Sequence, residues 1–468
     1  MSYSHQFKNS GGILVSGSLL DSQGQEKLFY KEFNSSDTNN GIAENADADK
    51  NYRFFTKISF HDFTFSSAHL DRTKNVPTAA YETVFNDSRL KTVEKQTYVE
   101  MKYAHEFGKQ LDLDARIFYD RYQFDADYPF EEGLNQDYAL GQSWGSELKL
   151  TKTFFERHKI IAGVEYEDFF NQDQTNGDVG SSELFLDAKE SSEVLAIYLQ
   201  DEFDILENLT LNAGVRYDHY STFGSTTNPR ASLIYNPFNA TVVKFLFGQA
   251  FRSPNAFEFY YEDDGESQKA NPELGPETIK TYELVLEQEL GENLRGTMSG
   301  FLYNIKDLIS QRVDPADGLA VFKNIDEVEA KGIEMELSGK WEKGIMGKIS
   351  YSFQETEDET TGEILKNSPR HLFKYKLSVP FMQEKIFAGI EGRYTGKRKT
   401  EGGNEESGYF VTDLTIFSES LVSGLEVSGS IYNLFNATYS DPGTAGVHTQ
   451  DVIEQDGIDY RLKLLYKF

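Results

Sequence analysis

The last ten residues alternate between apolar and polar side chains, and this pattern limits the fold more than any other feature of the chain. Residues 459–468 read DYRLKLLYKF, which puts Tyr460, Leu462, Leu464, Tyr466 and Phe468 on one face of a strand and Arg461, Lys463 and Lys467 on the other. Successive side chains of a β-strand point to opposite faces. One face suits hydrocarbon and the other tolerates charge, so the segment predicts a barrel wall between lipid and a wet lumen.

The same period-two pattern recurs along the chain. Apolar side chains alternate with polar ones over residues 209–218, 333–341 and 425–431. The inferred strands reach about ten residues, whereas strands of soluble sheets usually have about five or six. A large soluble β-sandwich or propeller is the alternative, because its half-buried strands also alternate. We favour an all-β fold: a transmembrane antiparallel β-barrel of about 22 strands, with short periplasmic turns and long extracellular loops.

Composition supports this class of protein. Hydrophobic residues make up 38% of the 468 positions, and no apolar run approaches the roughly 18 residues that a membrane-spanning helix needs. A barrel needs only every second residue to be apolar. Aromatic residues reach 14%, and many lie near inferred strand ends, where they predict interfacial girdles. The absence of cysteine removes disulfides, zinc–thiolate sites and thiol nucleophiles from consideration.

Connections between the inferred strands alternate between short and long. Long polar segments include residues 125–136, 171–190 and 307–318. No linker or composition break divides the chain, so we interpret residues 1–468 as one outer-membrane β-barrel domain. If the last strand runs toward the periplasm, strict alternation gives about 21 strands, an odd number where bacterial barrels have even ones. Either an upward strand is missing at the N-terminus, or one lies within residues 21–50.

The formal net charge of −30 opposes nucleic-acid binding, which requires a basic surface. Carboxylates between the strands mostly indicate solvated loops. Hard oxygen ligands also occur close together at Asp37, Asn39, Asp47 and Asp49. These four residues are the candidate for a Ca²⁺ ion in an extracellular loop, although their spacing is not that of an EF-hand. No other cofactor is expected.

Charged side chains on the other face of the strands would line a water-filled lumen. The candidates are Arg216, Asp218, Lys244, Glu283, Glu287, Glu334 and Glu336. Rings of charged side chains set the ion preference of a pore, and the sign of the total charge predicts a preference for cations.

Enzymatic activity is not expected. The eight histidines include no His-Glu-x-x-His pair and have no clear serine partner. The sequence also has no nucleophile elbow and no phosphate-binding Gly-Lys-Ser/Thr loop.

Several short motifs resemble the barrel of TonB-dependent outer-membrane receptors. They are residues 228–237 (NPRASLIYNP), 248–254 (GQAFRSP), 271–277 (NPELGPE), 303–309 (YNIKDLI), 330–334 (AKGIE), 368–371 (SPRH), 432–436 (YNLFN) and the terminal Phe468. The resemblance spans residues 1–468 and is strongest from Tyr198 onward. Together the motifs are specific for the barrel, but they say little about the ligand.

The resemblance implies a 22-stranded barrel in the Gram-negative outer membrane, in contact with lipid and lipopolysaccharide. It also implies energised uptake of a large scarce nutrient such as a ferric siderophore, cobalamin, haem or a glycan. In that family an N-terminal plug contacts the inner-membrane partner TonB. Because no plug and no signal peptide precede Ser2, we expect this chain alone to act as a passive pore or ligand-binding scaffold. The alternative is a porin-like channel or a structural or designed barrel.

Ligand contacts would come from the outer loops and the upper lumen. Arg252, Tyr260 and Tyr261 combine a fixed charge with aromatic faces that can pack on a large chelate. Arg230, Arg370 and His371 begin downward strands and are expected to face the upper lumen. There are two structural alternatives. The aromatic rings could pack in the interfacial girdle, and the cations could pair with loop carboxylates.

Overall fold

We analysed a computed structural model that describes residues 1–8, 11–108, 111–265 and 267–467, with only the backbone at 419–421. The terminal Phe468, which the sequence analysis places on the apolar face of the last strand, lies outside the described residues.

The described chain is almost entirely strand. Its first half contains β1 (Ser2–Phe7), β2 (Gly11–Ser22), β3 (Lys27–Phe29), β4 (Ile42–Glu44), β5 (Asp49–Phe60), β6 (Phe63–Asn75), β7 (Lys91–Phe107), β8 (Leu111–Phe130), β9 (Gly133–Phe154), β10 (His158–Asp178), β11 (Leu186–Leu206), β12 (Leu209–Tyr220) and β13 (Gly224–Phe238). Its second half contains β14 (Thr241–Arg252), β15 (Glu277–Leu290), β16 (Leu294–Val313), β17 (Ala320–Lys340), β18 (Met346–Asp358), β19 (Glu363–Ile364), β20 (His371–Phe381), β21 (Ile386–Thr395), β22 (Arg398–Lys399), β23 (Glu405–Glu406), β24 (Tyr409–Val422), β25 (Leu425–Tyr432), β26 (Ser440–Pro442), β27 (Val452–Glu454) and β28 (Asp459–Tyr466).

Helices are few and short. The α-helix α1 spans Ala256–Tyr260, and 3-10 turns occupy Lys31–Phe33, Ser36–Gly41, Ala80–Glu82 and Glu342–Gly344. In the part of the chain that the structure describes, no helix is long and apolar enough to cross a membrane.

The strands of the main sheet follow one another as an antiparallel meander. The main sheet has 22 strands, and one of them, the two-residue β19, only extends the outer end of β18. The remaining 21 strands make the wall, as strict alternation of the connections predicted. The alternative of a further wall strand within residues 21–50 is wrong, because β3 and β4 form a separate two-stranded sheet. With an odd count, β1 and β28 run in the same direction.

The two rims of the wall differ as expected. One rim carries turns of a few residues, such as those after β5 and β11, and the other carries the long loops 23–48, 253–276 and 433–458. Three predicted loops are largely strand, however. Residues 125–130, 171–178 and 307–313 continue β8, β10 and β16. Their backbone groups pair with the neighbouring strand, so the wall extends well beyond the length needed to cross hydrocarbon.

The outward face of the wall is apolar. On β15, Tyr282, Leu284 and Leu286 are exposed, while the side chains between them point to the inside. At the short-turn rim the exposed residues are aromatic or large, including Phe60, Phe63, Phe107, Phe155, Phe238, Trp341 and Phe381. Apolar side chains exposed around a sheet, bounded by an aromatic girdle, define the lipid-facing surface of a transmembrane barrel.

Loops from the two ends of the sheet meet at the outer rim. Tyr81 donates its backbone N–H to the carbonyl of Val447 at 2.7 Å, and Gln450 Nε2 donates to the carbonyl of Thr78 at 2.9 Å. A small apolar cluster of Tyr30, Ala43, Ala46, Ala79 and Phe85, with Ile453 packed against it, joins the same loops. The outer loops that follow β2 and β6 therefore contact the loop that follows β25.

Candidate functional site

The inward face of the wall carries a continuous network of charges. Arg116 Nε donates to Glu147 at 2.8 Å, and another nitrogen of its guanidinium lies 3.4 Å from Glu165. Glu165 also accepts from Arg216, whose Nε is 2.8 Å from Asp218. Five neighbouring strands, β8 to β12, share this network because every second residue of each strand faces the lumen.

The inward residues predicted from alternation face the lumen. Lys244 on β14 pairs with Glu287 on β15 at 2.6 Å, and Glu283 accepts from Tyr303 on β16 at 2.7 Å. Glu334 and Glu336 alternate with the exposed Met335 on β17. The lumen is thus wet and rich in carboxylates, as the sequence predicted.

Loop 253–276 forms one side of the outer mouth. It begins at Arg252, whose guanidinium lies 2.9 Å from Glu258 and 2.7 Å from Glu277. Asn255 starts α1 with a reciprocal capping box, since its side chain accepts from Glu258 N–H and Glu258 accepts from Asn255 N–H. The cap and the two ion pairs fix the first turn of the loop against the end of β15.

The same loop reaches over to β9 and β10. Tyr261 donates its hydroxyl to Asp137 Oδ1 at 3.2 Å, and Gln174 Nε2 donates to the carbonyl of Ala256 at 2.9 Å. Tyr261 also packs on Phe257, with ring centroids 4.5 Å apart. These contacts join the connection between β14 and β15 to β9 and β10, which lie five and four strands from β14 around the wall.

Asp137 is the centre of this part of the mouth. Asn176 also donates to Asp137 Oδ1, and the rings of Tyr81 and Tyr128 meet edge to face at 5.5 Å beside it. Burial raises the pKa of the Asp137 carboxyl. Burial, followed by the charge of Asp137, also raises the pKa of the Tyr261 hydroxyl. We call Tyr81, Tyr128, Asp137 and Tyr261 the mouth cluster; it lies at the outer strand ends, beyond the apolar band.

Sequence reasoning identified only one member of the mouth cluster. Tyr261 is a candidate because, with Arg252 and Tyr260, it combines a fixed charge with aromatic faces in a long loop. Tyr81, Tyr128 and Asp137 come from other connections, and no local motif marks them. The feature that brings them together is the extension of β8 and β9 above the membrane, which the sequence presented as a loop.

The other predicted ligand residues lie apart from the mouth cluster. Tyr260 packs on Phe259 at 5.4 Å between centroids. Arg230 faces the lumen on β13 and donates to Gln200, and Arg370 pairs with Glu355 at 3.3 Å.

The expected position of His371 in the upper lumen is wrong. His371 lies on the face of β20 that carries Leu377, which is exposed with the outward apolar residues. Its Nδ1 is 2.8 Å from the hydroxyl of Tyr351, and its ring lies 5.3 Å from that of Phe353. His371 therefore belongs to the outer aromatic belt.

The structure does not bring the four candidate calcium ligands into one set. Asp47 lies 2.5 Å from Lys74 and Asp49 lies 2.7 Å from Arg72. Asp37 accepts from Ser36, and the amide of Asn39 donates to the carbonyl of Ile42. Among the residues that the structure describes, no three histidine, aspartate or glutamate side chains converge as metal ligands.

Wall, girdle and wet lumen together define a β-barrel of the Gram-negative outer membrane. The family model "TonB dependent receptor-like, beta-barrel" matches residues 29–434. The chain belongs to this family of receptors and transporters.

Curated relatives agree with this assignment. The chain is 26% identical over 262 residues to the iron-regulated outer membrane virulence protein of Vibrio cholerae, a match that covers 51% of this chain and 40% of the relative. It is 27% identical over 231 residues to the vitamin B12 transporter BtuB of Vibrio cholerae, covering 49% and 34%. The matches thus span less than half the length of these relatives.

Solved structures show the same fold. The ferric enterobactin receptor PfeA of Pseudomonas aeruginosa superposes with a TM-score of 0.80 at 14% identity, over 100% of this chain and 78% of that one. The copper transporter OprC gives a TM-score of 0.76 at 14% identity, over 98% and 76%.

Proposed function

We propose that this chain forms the barrel of a receptor that takes up a large scarce nutrient, such as a ferric siderophore or cobalamin, across the outer membrane. The observation that carries the proposal is the outer mouth, where loops from distant parts of the wall converge on the mouth cluster. Membership of the receptor family and the iron and vitamin B12 named for relatives support this ligand class.

The mouth has the surfaces that such a ligand needs. Tyr81, Tyr128 and Tyr261 offer aromatic faces and hydroxyl groups, and a flat or globular chelate would bury part of its apolar surface against them. Arg252 is held by two carboxylates, so its contribution is to position α1 and Tyr261 rather than to offer a free charge.

The family assignment also suggests partners other than the nutrient. The outward apolar face would contact acyl chains of lipid and lipopolysaccharide. Contact with TonB in the inner membrane would be made by a plug, as in the family. The wet lumen supports a second proposal, a passive porin-like pore formed by residues 1–468 alone.

Ligand binding tests the proposal directly. Purified barrel in detergent would be titrated with ferric trihydroxamates and with cobalamin, and we expect at least one to bind in the micromolar range or tighter. Tyr261→Ala should weaken binding by about three- to tenfold, since one aromatic contact is worth roughly 0.5–1.5 kcal/mol. Tyr282→Ala removes a ring of the same kind from the lipid-facing side and should leave the affinity unchanged. Failure of every nutrient of this class to bind would overturn the proposal.

A further inference from the structure

The cations of the outer connections are all neutralised. Every Lys and Arg in the described loops between wall strands at this rim lies within 4.0 Å of a carboxylate: Lys27, Lys31, Arg89, Lys269, Lys366, Arg370, Lys397, Arg398 and Lys399. Lys269 has two such partners, Asp314 at 2.9 Å and Asp317 at 2.7 Å.

Arg252, a cation that faces the mouth from the wall, is held more firmly still. Arg252 points to the same side of β14 as the lumen-facing Lys244. It makes four hydrogen bonds, two to Glu258 and two to Glu277, at 2.7–3.0 Å. The hydrogen bonds that the guanidinium donates to Glu277 and Glu258 raise its pKa further. An anionic ligand would have to displace a carboxylate before it could use this charge.

Carboxylates at the same rim are in excess. Glu131, Glu132, Glu183, Glu262 and Asp264 have no cationic partner among the described residues. They sit on the connections that surround the mouth cluster, and Asp137 within it accepts only from neutral donors, Tyr261 and Asn176. A cleft lined by one sign of charge concentrates ligands of the opposite sign and repels those of the same sign.

We infer that the outer mouth selects neutral or cationic metal chelates and rejects polyanionic ones. The inference rests on the proposed function and narrows it to a ligand class. Neutral chelates would bind by packing on the tyrosines, and cationic ones would gain from the unpaired carboxylates. A trianionic tris-catecholate chelate would meet like charge at the outer connections, where every described Lys and Arg is already paired with a carboxylate, and this contact between like charges is unfavourable. The chain therefore differs in expected ligand from a ferric enterobactin receptor with which it shares only the fold.

Three ferric probes of similar size test the inference on the unmodified protein: a cationic trihydroxamate, a neutral trihydroxamate and a trianionic tris-catecholate. We expect the first two to bind at least about tenfold more tightly than the third, and added salt to weaken only the cationic probe. Tighter binding of the tris-catecholate would overturn the inference and leave the proposed function standing. Absence of binding by all three probes and by cobalamin would overturn both.

A pair of variants tests whether the pairing of Arg252 with carboxylates sets the selectivity of the mouth. Glu258→Gln with Glu277→Gln releases Arg252 but keeps an amide oxygen for the α1 capping box. This double variant should bind the tris-catecholate about tenfold more tightly than the unmodified chain. Glu287→Gln is the matched control, because Glu287 also holds two cations, Lys244 and Arg295, but at the opposite rim. An equal gain in both variants, or a gain in neither, would contradict the assignment of selectivity to the mouth.

Discussion

Tyr261 donates a hydrogen bond to Asp137 at 3.2 Å, although the two residues are 124 positions apart in the sequence. The contact ties a loop between β14 and β15 to the outer end of β9. Asp137 is partly buried there and also accepts from Asn176, so the pair joins the loop to the mouth cluster.

Removal of the Tyr261 hydroxyl should loosen the loop. Tyr261→Phe keeps the ring but deletes the hydrogen bond, which contributes about 0.5–1.5 kcal/mol for a typical pair. Hydrogen–deuterium exchange of residues 254–262 should become faster, and exchange of β15 should stay unchanged. Equal exchange in the variant and the unmodified protein would show that the hydrogen bond does not hold the loop.

Asp137 should make the stability of the mouth depend on pH. Burial raises the pKa of this carboxyl, so the folded mouth binds its proton more tightly than the unfolded chain does. Stability from this group is therefore present at low pH and is lost as the pH rises from the usual range of an aspartate through the raised value. Asp137→Asn should remove this dependence in a pH series of exchange rates. An unchanged pH profile in Asp137→Asn would contradict the role given to burial.

Asp49 should make stability depend on pH in the opposite direction. Its hydrogen bond to Arg72 lowers the pKa of the Asp49 carboxyl. Stability from the pair is present above the usual aspartate range and is lost as the pH falls through the lowered value. Arg72→Gln should raise the pKa of Asp49 and shift acid-induced loosening of loop 23–48 to higher pH, as followed by exchange. The nearby Lys50→Gln, whose partner Asp21 is 3.5 Å away and exposed, serves as the control.

The isolated chain should conduct ions. The wet, carboxylate-rich lumen predicts a steady current in planar bilayers with a preference for cations. Glu334→Lys with Glu336→Lys places two positive charges on the inward face of β17 and should reduce that preference. Glu342→Lys, in a short turn outside the wall, should change it less. A membrane-inserted protein without conductance, or one with a strong preference for anions, would contradict the pore.

The wall was predictable from the sequence because its two faces meet different solvents. Leu284 and Glu283 show the alternation of apolar and polar side chains that a wall with hydrocarbon on one side requires, and the alternation of short and long connections gave the count of about 21 strands. Residues 125–130 were mistaken for a loop because both faces of β8 are wet above the membrane, which removes the signal. The alternation of side chains along β20 would have placed His371 on the outward face, because His371 lies an even number of residues from Leu377. The mouth cluster could not be predicted, because Tyr81, Tyr128 and Asp137 meet only through tertiary structure.

The central claim is that every second side chain of the wall meets lipid. Single cysteines can be introduced without background, because the chain contains none. Spin labels at positions 281–287 of β15 in lipid vesicles would be tested for collisions with oxygen, which partitions into acyl chains, and with a water-soluble nickel complex. We predict high oxygen accessibility at 282, 284 and 286 and low oxygen accessibility at 281, 283 and 285. Uniform accessibility to the nickel complex, or a period other than two, would contradict the barrel.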